Sequence, residues 1–211
     1  MILFNRRLKL IQCIVSLFLF TSEFDYVTAS EASDLFNNAV YNEATIYDFI
    51  ENDSFFEVVH PESLQYTYRL RQAKNFGTNF RYPRRGVRLV LSDPDDCCSA
   101  LYNAGAISGA VALANRGSCS LVSKAVRAAE AGGVGVIVTG ADASIDTAYI
   151  EMITDGTGRD PLIPAYFLLG RHGDIIRRTL SAEETHATIN IPVNLTNTPI
   201  HKLNQPPWIT W

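Results

Sequence analysis

The residues of this chain that are able to do chemistry are few and scattered. Four cysteines occur, and Cys13 falls in a leader segment described below, which leaves Cys97, Cys98 and Cys119. An odd number permits one bridge, from either Cys97 or Cys98 to Cys119. The third thiol is then buried or available for a bond between molecules. Zinc needs four ligands, usually in spaced pairs such as C-x-x-C, and adjacent cysteines do not supply that spacing. No G-x-S-x-G turn presents Ser118 or Ser120 as a nucleophile. His60, His172, His186 and His201 contain no H-E-x-x-H pair. Asp93, Asp95 and Asp96 fail as a calcium loop: the glycine is missing and Cys97 stands where an oxygen ligand belongs. They read as a solvated turn. Glu151 and Asp155 form a carboxylate pair in sequence, with nothing to set them across a cleft. The expectation is no catalytic residue, no metal site and no cofactor.

The glycines of Ala131-Gly132-Gly133-Val134-Gly135-Val136 superficially suggest a nucleotide loop. A phosphate-cradling loop follows a strand and opens a helix, so that the helix N-terminus faces the anion. Here the order is reversed: the glycines end a helix and open a strand. C-capping and tight helix-to-strand packing are their expected roles.

The elements that must position these residues are clearest in the centre of the chain. Ala110–Ala114 is an apolar run of strand length, ended by Asn115-Arg116-Gly117. A helix is expected from Ser120, its N-cap, with Leu121, Val122, Ala125, Val126, Ala128 and Ala129 on its apolar face. Lys124, Arg127 and Glu130 take the other side, and Gly132 sits where a helix C-terminal glycine belongs. Val134–Thr139 is a second strand, so the trio predicts a βαβ unit with parallel neighbours. Val58-Val59, Tyr66–Tyr68, Val87–Leu91, Ile163–Leu169 and Ala187–Val193 read as further strands. A second helix is expected to open at Gly173 with Asp174 as N-cap.

Length and composition bound the whole. With 211 residues, 47% hydrophobic and 19% charged, the chain holds one domain with short extensions. A net charge of −4 excludes a nucleic-acid partner, which would need a basic face. The basic piece Arg81, Arg84, Arg85, Arg88 is interrupted by Pro83 and Gly86. It reads as a solvated loop or strand edge, with anion binding as the alternative. Arg6, Arg7 and Lys9 precede an apolar stretch, Leu10–Phe20, too short to span a bilayer. Residues 1–29 therefore read as a secretory signal peptide cut between 22 and 29, with a retained signal anchor as the rival. No later segment is long and apolar enough for a membrane helix. Asn52-Asp53-Ser54 and Asn194-Leu195-Thr196 are N-glycosylation acceptors and should lie on the surface.

One segment carries a resemblance. Gly109–Val126, reading GAVALANRGSCSLVSKAV, is similar to the core of the protease-associated (PA) domain, an apolar strand followed by Arg-Gly-x-Cys and a helix with Lys in its first turns. Ala131–Val138 and Ile163-Pro164-Ala165 match the family's later strands. Tyr149–Ile153, Phe167–Arg171, Ile191–Asn194 and the terminal Gln205-Pro206-Pro207-Trp208 extend the likeness to small secreted glycoproteins made of little besides a PA domain. It runs from about Phe76 to the C-terminus. Ser118 and Leu121 depart from the family's Gly and Phe. The resemblance implies an α/β fold: a single β-rich PA domain, an open barrel or sandwich flanked by helices, at 76–193. Residues 30–75 then form an N-terminal extension of the domain and 194–211 a Pro/aromatic tail. It further implies a Cys98–Cys119 bridge with Cys97 free, because Cys98-Ser99-Ala100-Leu101 matches the family's Cys-x-x-Leu. It implies no enzymatic activity, a secreted location, and binding of a protein or peptide ligand met extracellularly or along the secretory pathway. In plant vacuolar sorting receptors the motif arginine lies at the cargo site, which points here to Arg116, with Gly117 and Ser118. The alternative role is regulation of a separate secreted protease.

Overall fold

In the computed structural model the described residues are 53–140, 149–196 and 198–208. The expected signal peptide and Asn52 lie outside them. The elements are β1 (Asp53–His60), β2 (Thr67–Gln72), β3 (Arg84–Leu91), a short α1 (Ala104–Ile107), β4 (Val111–Asn115), α2 (Leu121–Glu130), β5 (Gly135–Thr139), β6 (Ala165–Leu168), α3 (Gly170–Ala182) and β7 (Ala187–Ile191).

The predicted βαβ unit is present, each strand within a residue of its expected bounds. β4 and β5 are buried along their whole length, as parallel strands covered on both faces must be. They pair in parallel from Val111↔Gly135 to Asn115↔Thr139, with α2 as the crossover. The Ser120 hydroxyl accepts from the Ser123 N–H at 3.1 Å and caps α2. Gly132 follows α2 with φ +78°, a left-handed turn that would strain any other residue. The sheet closes on itself in the order β1-β2-β6-β5-β4-β3-β7. β3 to β6 run parallel, and β7, β1 and β2 complete the barrel antiparallel. β1 and β2, from the segment read as the N-terminal extension, are thus full members of the barrel.

Strand alternation sorts the apolar side chains into two clusters. Leu89, Val111, Leu113, Ile137, Tyr166, Leu168 and Ile189 fill the interior. Val90, Ala112, Ala114, Val136, Val138 and Phe167 face outward and meet Val122, Ala125 and Ala128 of α2. Alanines on both sides of that contact let the helix lie close to the sheet. Ile176 and Leu180 of α3 join the interior cluster, so α3 closes the end where the parallel strands finish.

The expected start of the second helix is corrected. α3 begins at Gly170, directly after β6, with Leu169 in the cap position and no side-chain cap. Asp174 lies inside the helix and accepts from Arg178 Nε at 3.0 Å and Arg177 Nη2 at 3.3 Å. Gly173 is there for proximity: a Cβ on it would fall 1.9 Å from Thr139 Oγ1. The glycine lets α3 sit directly on the last residue of β5.

Candidate functional site

The turn after β4 is built by contacts from three directions. Arg116 N–H donates to Thr139 O at 2.8 Å, one step beyond the β4–β5 ladder. The chain then turns through Gly117 (φ +118°) and Ser118 (φ +53°), both left-handed. Arg116, Gly117 and Ser118 are all exposed. Cys119 follows and is bonded to Cys98, with their Cα atoms 5.7 Å apart, which fastens the turn to the 93–98 loop. Ser118 and Lys124 both act on the Asp96 carboxylate. That carboxylate also accepts from Cys98 N–H at 3.0 Å. The Cys98 amide, and then Ser118 and Lys124, hold it below the usual aspartate range.

The third contact comes from Lys124. It was expected on the polar face of α2 with Arg127 and Glu130. Those two pair at the surface at 2.6 Å, but Lys124 is fully buried. Its Nζ donates to Asp96 O at 2.6 Å, to Gly117 O at 2.7 Å and to Cys98 Sγ at 3.1 Å. These acceptors stand in for the water the ammonium has lost. Burial pulls its pKa below the ordinary lysine value, and Asp96 opposes that shift. A signal was present in sequence: Lys124 is three residues from Leu121 and four from Ala128, on one helical stripe.

Cys97 is fully buried, and its thiol donates to Lys124 O at 3.3 Å. Burial raises its pKa to about 11, so at neutral pH it is a thiol and not a reactive thiolate. The acidic run serves the fold: Asp95 O accepts from Asn115 N–H at 2.8 Å, and Asp95 Oδ2 from Asn115 Nδ2 at 2.7 Å. Among the described residues no group of three or more His, Cys, Asp or Glu side chains is placed to hold a metal.

Asp155 flanks the site and was not read as part of it. It accepts from Ser120 Oγ at 2.5 Å, Thr157 Oγ1 at 2.6 Å and Arg159 Nη2 at 2.8 Å. Arg159 also donates to Ser123 Oγ at 2.9 Å, so the 155–159 loop is clipped to the start of α2. The Ser120 hydroxyl, first among these donors, holds the Asp155 carboxyl well below its ordinary range. Glu151 has a different partner, Lys74 at 3.6 Å, so the two carboxylates do not form a pair. Asn194 is exposed on the segment after β7.

A closed barrel of mixed strands, with a βαβ unit and a disulfide-fastened Arg-Gly-x-Cys turn, is the architecture of a PA domain. The PA domain family model matches residues 86–176. The PRADC1-like protein of Drosophila melanogaster is 49% identical over 170 residues, covering 79% of this chain and 87% of that protein. The chain belongs to the PA domain family, alongside that PRADC1-like protein. Human ER degradation-enhancing alpha-mannosidase-like protein 3 is 39% identical over 92 residues, 42% of this chain and 10% of the relative. Among solved structures, BSAP, a zinc aminopeptidase from Bacillus subtilis, aligns at 17% identity and TM-score 0.44, over 70% of this chain and 33% of that one. An aminopeptidase from Aneurinibacillus sp. strain AM-1 aligns at 17% identity and TM-score 0.46, over 67% and 30%. The chain thus spans a tenth of the mannosidase-like relative and about a third of each aminopeptidase.

Proposed function

We propose that this protein is a secreted, N-glycosylated and non-enzymatic PA-domain protein that binds protein or peptide segments, with Arg116, Gly117 and Ser118 in the contact surface. The observation that carries the reading is the state of the turn. Its three residues are exposed, yet the disulfide, the Lys124 ammonium and the Thr139 carbonyl fix its backbone. A guanidinium on a rigid, exposed turn binds peptide carbonyls or a carboxylate with little ordering cost.

Cross-linking and mass spectrometry on the epitope-tagged secreted protein test this. A specific extracellular partner is expected with the wild type and is expected to be lost in Arg116→Ala at unchanged secretion. Equal recovery from both forms would make Arg116 structural. Labelling by a hydrolase probe that disappears on mutating one nucleophile would overturn the non-enzymatic reading. Glycosylation has its own check. Treating the medium with an N-glycosidase should sharpen the protein to one faster band, and Asn194→Gln and Asn52→Gln should each remove one step of the shift.

A further inference from the structure

At the opposite end of the barrel from the Arg116 turn, where β3, β5 and β6 begin, lies a groove of about 650 Å³. Phe80, Arg81, Tyr82, Arg84, Leu162 and Pro164 are among its walls, and none of the described residues that line it is acidic. Four large hydrophobic side chains are strongly exposed among the described residues. Two of them, Tyr82 at 78% and Leu162 at 73%, border this groove. Two large apolar side chains left in water on the walls of one groove point to an interaction site.

The walls are held ready. Leu162 has φ +55°, a left-handed conformation that costs a residue with a bulky side chain roughly 1–2 kcal/mol. The surrounding bonds enforce it. Asp160 Oδ1 accepts from Leu162 N–H at 3.2 Å and from Gly77 N–H at 3.0 Å, tying the two walls together. Thr78 N–H donates to Ile163 O at 3.2 Å. Phe80 stacks on Tyr166, with 6.1 Å between ring centroids, and Tyr166 belongs to the barrel interior. The frame therefore holds Leu162 out in solvent when relaxation of the backbone would be favourable.

The charge is the other half. In a chain of net charge −4, Arg81, Arg84 and the adjacent Arg85 are exposed together at this one rim. Given the peptide-binding reading above, on which this rests, we infer that the groove takes an extended segment of a partner protein that carries a carboxylate next to an aliphatic or aromatic side chain. The guanidiniums receive the carboxylate through paired N–H bonds. Tyr82 and Leu162 grip the apolar neighbour. A sulfated glycan would use the arginines but leave Tyr82 and Leu162 without a role.

The test is selection of a random heptapeptide phage library on the immobilised full-length secreted protein. The enriched peptides are then resynthesised with fluorescein and titrated by anisotropy. Enriched sequences should place Asp or Glu beside Leu, Ile, Phe or Tyr. Their affinity should fall about tenfold or more in Arg81→Glu/Arg84→Glu and in Leu162→Asp, a loss of about 1.4 kcal/mol or greater. All of these residues are exposed, and circular dichroism should confirm that the variants keep the fold. No enrichment, or enriched peptides without an acidic residue, overturns the inference. So does heparin retention that depends on Arg81 and Arg84 when no peptide is enriched. Binding that survives these variants but vanishes in Arg116→Ala moves the site to the turn and leaves the binding-module reading standing.

Discussion

Replacing Lys124 with alanine is expected to cost the fold about 4 kcal/mol, read as a lower midpoint in urea or thermal unfolding. Two terms make up the figure. Truncating a fully buried long side chain beneath α2 opens a cavity, and changes of this size run at about 2–5 kcal/mol. The carbonyls of Asp96 and Gly117 also lose the ammonium that served them at 2.6 and 2.7 Å. Lys124→Met separates the terms, because it keeps the stem and deletes the charge. It removes the donor but also the desolvated ammonium, so a loss of about 2 kcal/mol is expected. The order wild type, Lys124→Met, Lys124→Ala should hold. If Lys124→Ala came within 1 kcal/mol of wild type, the ammonium would not be bracing the turn. The change has a functional readout too. With the Gly117 carbonyl released, the turn loses one of the ties that fix it, and capture of an Arg116-dependent partner should weaken in both variants.

Lys124 also shows where a sequence stops being readable. The β4-α2-β5 unit was legible because its signals are local: an apolar run, a serine cap and a glycine exit within thirty residues. The barrel's closure was not, since it rests on pairings such as Glu57↔Asn190 and Arg84↔Ile191, across spans that no periodicity reports. Gly173 looked like a helix start because glycine and aspartate commonly stand there. Its actual cause is the Thr139 side chain, 34 residues earlier in the chain and in contact only after folding. The bridge was ambiguous between two adjacent cysteines on spacing alone, and the PA resemblance chose Cys98. The structure supplies the reason: Cys97 turns under α2 onto the Lys124 carbonyl, while Cys98 faces the turn. A lysine among polar neighbours reads as surface until the acceptors that compensate it are brought near, and those lie up to 28 residues away.

Acid is expected to loosen the C-terminal segment through His172. This histidine is fully buried on α3, and its Nδ1 accepts from Trp208 Nε1 at 3.0 Å. Tyr68 of β2 meets its ring edge-on at 5.5 Å, and Trp208 in turn lies edge-on to Tyr66. Asn204 O accepts from Thr67 N–H at 2.8 Å, so residues 204–208 strap α3 to the start of β2. A ring that accepts at Nδ1 carries its proton on Nε2, which is buried without a partner among the described residues. Burial, and then the neighbouring Arg171 charge, lower its pKa from 6.5 to about 4. Between those values the unfolded chain binds a proton that the folded one refuses. Stability is therefore full above pH 6.5 and falls as pH drops towards 4, by about 3 kcal/mol in all. Protonation at Nδ1 also abolishes the acceptor that holds Trp208. Its fluorescence should shift to the red with a midpoint near pH 4, accompanied by cleavage in the segment under limited proteolysis. His172→Phe keeps the edge contact with Tyr68 and removes the titrating group. It should be less stable at pH 7 by about 1–2 kcal/mol, because the Trp208 N–H is left unpaired, and its stability should no longer fall over this interval on account of position 172. An undiminished pH slope in that variant would place the acid sensitivity elsewhere and return His172 to a purely packing role.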